Sequence, residues 1–445
     1  MKGFKTARTA LLAGGVALAM VAAAACSNGG GSPIGGGALP TDNVTLTFWW
    51  WGDDARAATT QKIIDKFQAK YPFIHVDGES QTFDHYFDNL ATQFAGNSAP
   101  DVITMGGSYV LSYAEGGNLL QLDDPALGNE MHINAFTPSI LSASTVDNKV
   151  YGVPTGGNTI AVMVNPKVFA AAGVALPNDD TWTWQDFVSI ANQITAQSPA
   201  GTYGAEVRTY DLLGAFAGQR TPLYDSAGNL TATADTLTAQ FQLLKDLEDG
   251  HGLPPADLMA QVLTVPTAQT LFGQGRAGMF VGYTNQIGDY ATAAGNPADG
   301  TDDFQLLRLP SESQYAHPGQ ALLPSQYFTV NKATKYPRQS ALLVDFLVNS
   351  NEAGELVLTN RGVPSNPQVA ADIAPLLQGY DKTQAQFMSR VAPKLGPYVP
   401  PPAWATDVNS ITQNLETAVE SGTTTPADAA QQWLTQMAQS KTANS

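Results

Sequence analysis

Adjacent carboxylates and scattered histidines are the side chains of this 445-residue chain that could perform acid–base or metal chemistry. Asp53-Asp54 and Asp123-Asp124 are candidate pairs among the adjacent carboxylates, and a glycosidase would need two such groups at a fixed separation across one cleft. Adjacent acids at turns more often cap helices. The five histidines lack metal-ligand spacing, and the chain has no nucleophile elbow, phosphate-binding loop or dinucleotide motif. We therefore predict no catalytic residues, metal or cofactor, and keep an exported carbohydrate-active hydrolase as the alternative.

Three consecutive tryptophans followed by Gly52-Asp53 offer binding chemistry instead. Sugars present apolar C–H faces that lie flat on aromatic rings, and their hydroxyls pair with carboxylates and amides. Because successive strand residues point to opposite faces, Trp49 and Trp50 cannot share one packing site, and Trp51 falls where the strand ends. We predict that Trp50 or Trp51 contacts a sugar, that Asp53 accepts its hydroxyls, and that loss of Trp51 affects binding more than stability. The alternatives are three core or rim tryptophans and a helix-capping Asp53.

The composition is that of an acidic globular chain. Hydrophobic residues make up 43% of it, which suffices for a buried core and exceeds what disordered chains carry. Lys and Arg total 22 against 39 Asp and Glu, so the formal charge is −17, which disfavours a nucleic-acid partner. At about 150 residues per domain the length predicts more than one domain. The single cysteine excludes an internal disulfide and a thiolate zinc site.

The N-terminus has the features of a secretory signal. The first nine residues include three basic residues and no acidic one. An apolar stretch follows at 10–25 and is too short to span a bilayer comfortably. Cys26 and a Gly/Ser-rich tether follow, and the segment from Ala23 to Cys26 resembles a bacterial lipobox, although Ala23 stands where that motif prefers leucine. The resemblance implies an acylated Cys26 that anchors the protein at the extracellular face of the cytoplasmic membrane. An ordinary signal peptide with an incidental cysteine is the alternative.

Short apolar runs alternate with amphipathic helical patterns through the rest of the chain. Residues 44–50 read as a buried strand, and apolar residues at helical spacing follow until Pro72. A second helix and strand repeat this order up to Met105. The alternation predicts mainly parallel sheets covered by helices. Apolar residues at helical spacing indicate further helices at 184–194, 237–247, 342–347 and 433–437.

A series of short segments, each weak alone, occurs in one order along the chain: VTLTFWWW (44–51), KIIDKF (62–67), YPFIHV (71–76), APDVI (99–103), YAEGGNLLQLD (113–123), KVYGVP (149–154), WTWQDF (182–187), GRAGM (275–279) and GVPS (362–365). Together they resemble the extracellular solute-binding proteins, of the family 1, maltodextrin-binding type, that serve bacterial carbohydrate ABC importers. The resemblance spans nearly the whole chain after the signal. It identifies no particular sugar.

The resemblance implies a periplasmic-binding-protein-like α/β fold with two lobes that close around a ligand in a hinged cleft. Open parallel sheets bind ligands beyond the carboxyl ends of their strands, which is where the cleft is expected. The implied partners are a carbohydrate and the permease subunits of an ABC transporter, and the implied state is a monomer. The predicted parts are the signal peptide (1–25), the acylated cysteine with its tether (26–40), lobe one (41–156 and 303–350) and lobe two (157–302 and 351–445).

The resemblance also implies ligand-binding residues beyond the tryptophans. Asn158 corresponds to a hinge-side position where maltodextrin binders place a carboxylate, and its amide can both donate and accept. Tyr283 and Asn285 follow a strand after which relatives carry a stacking aromatic, so we predict Tyr283 for the ring and Asn285 for hydroxyls. Gln326 and Arg361 complete the predicted set. Alternatively, these residues occupy turns and the cleft rim, and Arg361 only complements the dipole of the preceding helix. A binding protein of the same fold for a non-sugar solute is the alternative for the protein as a whole.

Overall fold

The computed structural model describes residues 38–52, 54–207, 209–225, 227–262, 265–296, 304–311, 319–396, 398–402, 404–405 and 407–443. The predicted signal peptide, Cys26 and Asp53 lie outside these ranges. No helix within the ranges combines the length and the hydropathy that crossing a bilayer requires.

The strands are β1 (Val44–Trp51), β2 (Ile74–Gln81), β3 (Val102–Met105), β4 (Thr145–Val146), β5 (Lys149–Val150), β6 (Val153–Pro154), β7 (Gly156–Asn158), β8 (Ile160–Val164), β9 (Tyr203–Val207), β10 (Ala277–Tyr283), β11 (Gln305–Leu307), β12 (Leu323–Pro324), β13 (Tyr327–Val330) and β14 (Val363–Pro364). The α-helices are α1 (Asp54–Lys70), α2 (Phe83–Ala95), α3 (Gly107–Glu115), α4 (Pro138–Leu141), α5 (Pro166–Ala171), α6 (Trp184–Gln197), α7 (Thr209–Gly218), α8 (Ala234–Asp249), α9 (Ala256–Val262), α10 (Ile287–Ala293), α11 (Pro337–Asn349), α12 (Asn351–Val357), α13 (Pro367–Ile373), α14 (Gly379–Val391), α15 (Val408–Glu420) and α16 (Pro426–Ala443).

The sheet of lobe one has the strand order β2-β1-β3-β13-β6. Residues of β1 alternate between its two faces, as the sequence predicts. Trp51 points into a cluster with residues of α2 and α3, on the face opposite to Trp50. On the other face, every second residue of β1 is buried in one core with residues of α1 and α11: Val44, Leu46, Phe48 and Trp50.

The sheet of lobe two has the strand order β11-β8-β10-β9. In both sheets all strands but one run in the same direction, and the exceptions are β13 in lobe one and β8 in lobe two. These two strands carry the chain from the hinge into a lobe, so they run against the strands that end at the cleft. Both sheets are therefore mixed. The parallel pairs are β1-β2, β1-β3 and β9-β10, and every pair that includes β13 or β8 is antiparallel, which the predicted mainly parallel sheets did not include.

A third sheet, in the order β12-β7-β14, connects the lobes and forms the hinge. β7 leads from β6 of lobe one into β8 of lobe two, and β12 leads back toward β13. The backbones approach closely here, because a Cβ atom on Gly156 would stand 2.2 Å from the carbonyl oxygen of Arg361. Gly362 has φ +84°, a conformation that favours glycine. Side chains at these two positions would force the hinge strands apart.

The chain returns between the lobes later than the sequence analysis predicts. β11 pairs with β8 in lobe two, so the return to lobe one occurs at β12 and not near residue 303. α12 packs against α1 and α11 and buries Ala353 in the core of lobe one, although the prediction assigned residues after 350 to lobe two. Lobe two resumes with α14, whose Phe387 lies in a core with β10. No change in composition marks either passage, which is why the sequence did not locate them.

The C-terminal helices α15 and α16 pack on α8 around Trp433, which is fully buried. The indole nitrogen of Trp433 donates a hydrogen bond to Thr412 at 2.9 Å. α16 begins at Pro426, and Thr425 caps it, because the Thr425 hydroxyl accepts from the backbone nitrogen of Asp428.

Glu420, the last residue of α15, should make the folded protein less stable as the pH rises from acidic to mildly alkaline. Burial, and secondarily the charge of Glu248 on α8, raises the pKa of Glu420 to about 7. An unfolded glutamate ionises near pH 4.3, so the folded state keeps a proton that the unfolded state has released, and stability is lost as the pH rises from about 4.5 to about 7. Glu420→Gln should reduce the loss of melting temperature between about pH 5 and about pH 8. Glu355→Gln, at an exposed site, is the control and should leave the loss unchanged; an equal loss in both variants would contradict the assignment.

Candidate functional site

A cavity of about 360 Å³ lies at the carboxyl end of β10, where Tyr283 pairs with Ile160 of β8. Open α/β sheets commonly bind ligands in this position, beyond the carboxyl ends of their strands. The walls come from α7 and the segment after it, from β12 and the residues before it, and from a proline-rich segment after α14: Gly214, Ala215, Gly218, Pro222, Leu223, Tyr224, Gly319, Gln320, Ala321, Leu323, Gly396, Tyr398, Val399 and Pro401.

Two of the lining residues carry buried polar atoms without a partner among the described residues. The amide nitrogen of Gln320 donates to the Ile160 carbonyl at 2.6 Å, whereas its Oε1 atom is buried and accepts no hydrogen bond. The Tyr224 hydroxyl is also buried without a partner. Burial raises the pKa of Tyr224, so its hydroxyl stays protonated and can donate. Unpaired buried polar atoms are costly, and a solute that bonds to them would remove that cost.

Two tyrosines place aromatic rings at this cavity. Tyr283 is partly exposed at the end of β10, and its backbone nitrogen donates to Gln286 at 3.1 Å, which fixes the turn that follows. Tyr398 lines the cavity and also packs against the Trp51 cluster of lobe one. The cavity therefore lies where lobe two meets lobe one, with Tyr398 in contact with both sides.

Lobe one presents an aromatic cluster, consisting of Trp51, Tyr86, Phe87 and Tyr109, at the carboxyl ends of β1 and β3. The ring of Trp51 lies 5.0 Å from Tyr86 and 5.4 Å from Phe87 between centroids. Tyr109 stacks on Phe87 at 3.7 Å with nearly parallel planes and remains 36% exposed. Tyr109 is the most exposed member of this cluster and the one that a solute can reach most readily.

The structure places the two predicted tryptophans differently. Trp50 is 3% exposed and packs on Phe48 at 5.0 Å, with its ring against Gly78 of β2. Trp50 is thus a core residue of lobe one, because its position in the alternation directs it away from the cleft face, and the prediction that it contacts ligand is corrected. Trp51 belongs to the aromatic cluster near the cleft, but it is only 8% exposed.

The predicted residues Asn158, Gln326 and Arg361 come together at the hinge and not at the cavity. The Asn158 amide donates to Ser325 at 2.8 Å within the hinge and accepts from Gln384 of α14 at 3.1 Å, so both of its polar ends are engaged. Gln326 is buried, and its Oε1 atom has no partner among the described residues.

Arg361 is also buried and extends into lobe one. Its guanidinium donates to the Thr60 hydroxyl at 2.7 Å and lies over the ring of Phe328 at 5.5 Å. Burial, together with the nearby charge of Arg56, lowers the pKa of Arg361 to about 9. The side chain thereby ties the hinge segment to α1 and β13. The helix before it, α12, ends at Val357.

Asn285 lies in the turn after β10 and is partly exposed, but it is not among the residues that line the cavity. Of the lining residues with aromatic or polar side chains, sequence reasoning missed Tyr224, Gln320 and Tyr398. The one available signal was an aromatic residue within a proline-rich stretch at Tyr398.

The match to known proteins agrees with this architecture. A family model described as bacterial extracellular solute-binding protein matches residues 30–353. The chain belongs to this family. It is 25% identical over 333 residues to an uncharacterized lipoprotein of Streptomyces antibioticus, with 71% of this chain and 69% of that protein covered.

Solved structures of solute-binding proteins have the same two-lobed fold. A family 1 extracellular solute-binding protein of Alicyclobacillus acidocaldarius is 27% identical, with a TM-score of 0.70 over 90% of this chain and 99% of that one. A periplasmic oligogalacturonide binding protein of Yersinia enterocolitica, in complex with saturated digalacturonic acid, is 20% identical, with a TM-score of 0.76 over 89% and 99%. The family resemblance and the fold class predicted from the sequence are confirmed.

In this solute-binding protein, the adjacent carboxylates that are described support the local backbone. Asp124 accepts from the nitrogen of Ala126 at 2.8 Å, and Asp123 accepts from that of Val150 at 3.0 Å. Asp54 is exposed at the start of α1. Among the described residues, no group of three or more acids, histidines or cysteines is arranged to hold a metal ion.

Proposed function

We propose that this protein is the lipid-anchored, extracellular substrate-binding component of an ABC importer. It binds a sugar or an oligosaccharide between its lobes, delivers it to the permease and catalyses no reaction. The observation that carries the proposal is the cavity at the carboxyl end of β10, which is lined by Tyr283 and joined to lobe one through Tyr398.

The side chains at the cavity and at the aromatic cluster of lobe one can contact different parts of a solute that contains a sugar. The rings of Tyr283, Tyr398 and Tyr109 can cover the apolar faces of sugar rings, and the free Oε1 atom of Gln320 can accept from a hydroxyl. Because the surfaces belong to different lobes joined by hinge strands, a ligand that contacts both favours the closed form.

Binding and closure can be tested together. A thermal-shift screen over mono- and oligosaccharides should identify a ligand, because binding to the native state alone raises its stability by RT ln(1 + [L]/Kd). Small-angle scattering with that ligand at saturation should then show a smaller radius of gyration. An unchanged radius despite measured binding would contradict hinge closure. Conversion of the sugar to shorter products would identify the protein as a hydrolase instead.

Replacement of Cys26 by serine should release the protein from the membrane fraction or leave its signal uncleaved. Serine has no thiol that could form the thioether to the lipid. The mature protein would then lack the acyl chains that hold it at the membrane. Fractionation of cells expressing both forms measures the release, and mass spectrometry of the mature N-terminus provides the control. An unmodified Cys26, or cleavage at another position, would contradict the proposed anchor.

A further inference from the structure

The cavity between α7, β12 and the proline-rich segment has a mainly apolar wall. Aliphatic side chains reach it from separate parts of the chain, among them Ile160, Leu223, Leu323 and Val399. Several glycines complete the wall and leave its backbone close to the space. A wall of this kind favours apolar ligand groups, because such groups lose little hydration free energy when they leave water.

The polar atoms that the wall offers are few. Gln320 contributes one unpartnered acceptor, because its amide nitrogen already bonds to the Ile160 carbonyl. Tyrosine hydroxyls provide the other side-chain contacts, with Tyr224 unpartnered among the described residues. A fully hydroxylated sugar ring has a hydroxyl on most of its carbons, and a buried hydroxyl without a partner opposes binding. The cavity therefore does not suit a bare sugar ring.

No lysine, arginine, aspartate or glutamate is found among the described residues that line the cavity. An ionised ligand group placed there would lose its hydration without gaining a counter-charge. The wall thus also discriminates against uronic acids and phosphorylated sugars.

We infer that the solute of this cleft is uncharged and places an aryl or alkyl group in the cavity, next to a hydrogen-bond donor that bonds to Oε1 of Gln320. The inference rests on the proposed function and specifies its substrate class. The sugar part of such a solute lies toward Tyr109 and the aromatic cluster of lobe one, where the Tyr109 side chain is 36% exposed.

Calorimetric titration of the full mature chain with matched methyl and 4-nitrophenyl glycosides of common hexoses and pentoses tests the inference. For the sugars that bind, the nitrophenyl glycoside should bind at least about 10-fold more tightly than the methyl glycoside. Leu323→Gln should remove most of this preference, and Val399→Thr is a milder second change in the same wall. Leu176→Gln, at an exposed position outside the cavity, is the matched control and should keep the preference.

The remaining outcomes separate the inference from the proposed function. Equal affinity for the two members of a pair, or tighter binding of 4-nitrophenyl glucuronide than of the glucoside, would overturn the inference and leave sugar binding intact. If 4-nitrophenol alone binds as tightly as its glycosides, the apolar cavity is supported and the proposal that the protein binds a sugar is overturned. If neither the glycosides nor 4-nitrophenol bind, both are overturned.

Discussion

Tyr283→Ala should weaken solute binding by about 30-fold, which corresponds to about 2 kcal/mol, because it removes an aromatic ring from the wall of the cavity. The ring is partly exposed at the end of a strand and packs at the margin of the lobe-two core, so its loss removes less buried area than the loss of a core ring. The melting temperature without ligand should therefore change little. Calorimetric titration measures the affinity, and a melt of the ligand-free protein measures the stability.

Tyr203→Ala is the matched control for this prediction. Tyr203 is a partly exposed tyrosine of the same sheet, but it begins β9, which is parallel to β10, and therefore lies at the opposite end from the cavity. This variant should keep the affinity of the unchanged protein. Equal losses of affinity in the two variants, or none in Tyr283→Ala, would place the solute elsewhere.

Trp50→Ala should destabilise the protein by about 3–5 kcal/mol, the usual effect of removing a large aromatic side chain from a core. The ring is 3% exposed and packs against Phe48 and Gly78 in lobe one. Calorimetric melting of the ligand-free protein should show a clear fall in melting temperature. Solute affinity, measured well below the melting temperature, should be retained because Trp50 does not line the cavity.

Trp51 lies on the face of β1 opposite to Trp50, so Trp51→Ala should have different effects from Trp50→Ala. Its ring is 8% exposed and packs on Tyr86 and Phe87, so its loss should lower the melting temperature, in contrast to the small change that the sequence predicts. Affinity should fall as well, because the aromatic cluster of lobe one loses its support.

Trp50→Phe, which keeps most of the buried ring area, should recover most of the stability lost in Trp50→Ala. A Trp50→Ala protein with unchanged stability would contradict the core assignment.

Local patterns predicted much of the fold and less of the site. The alternation in β1, the proline that ends α1 and the Thr425 cap each depend on neighbouring residues, which the sequence displays directly. The walls of the cavity do not, since Ile160, Gln320 and Tyr398 are far apart in sequence and meet only after the hinge and both lobes have formed. No periodicity connects such residues.

The role of Arg361 shows the same limit in another way. A lone arginine after a helix is consistent with a surface position or a ligand contact. Its burial against Thr60 and Phe328 depends on α12 packing on lobe one, which no local pattern indicates.

The position of β13 has a consequence for how the chain acquires its structure after synthesis. β13 lies between β3 and β6, and it is separated from β6 by the whole first part of lobe two. A nascent chain that ends before Tyr327 leaves β3 with an unpaired edge and the core of lobe one without α11. Contacts between such distant segments form slowly, because a long loop must close first. We therefore expect lobe one, whose first strand is made at the start, to complete its core only after residues 327–349 have been synthesised.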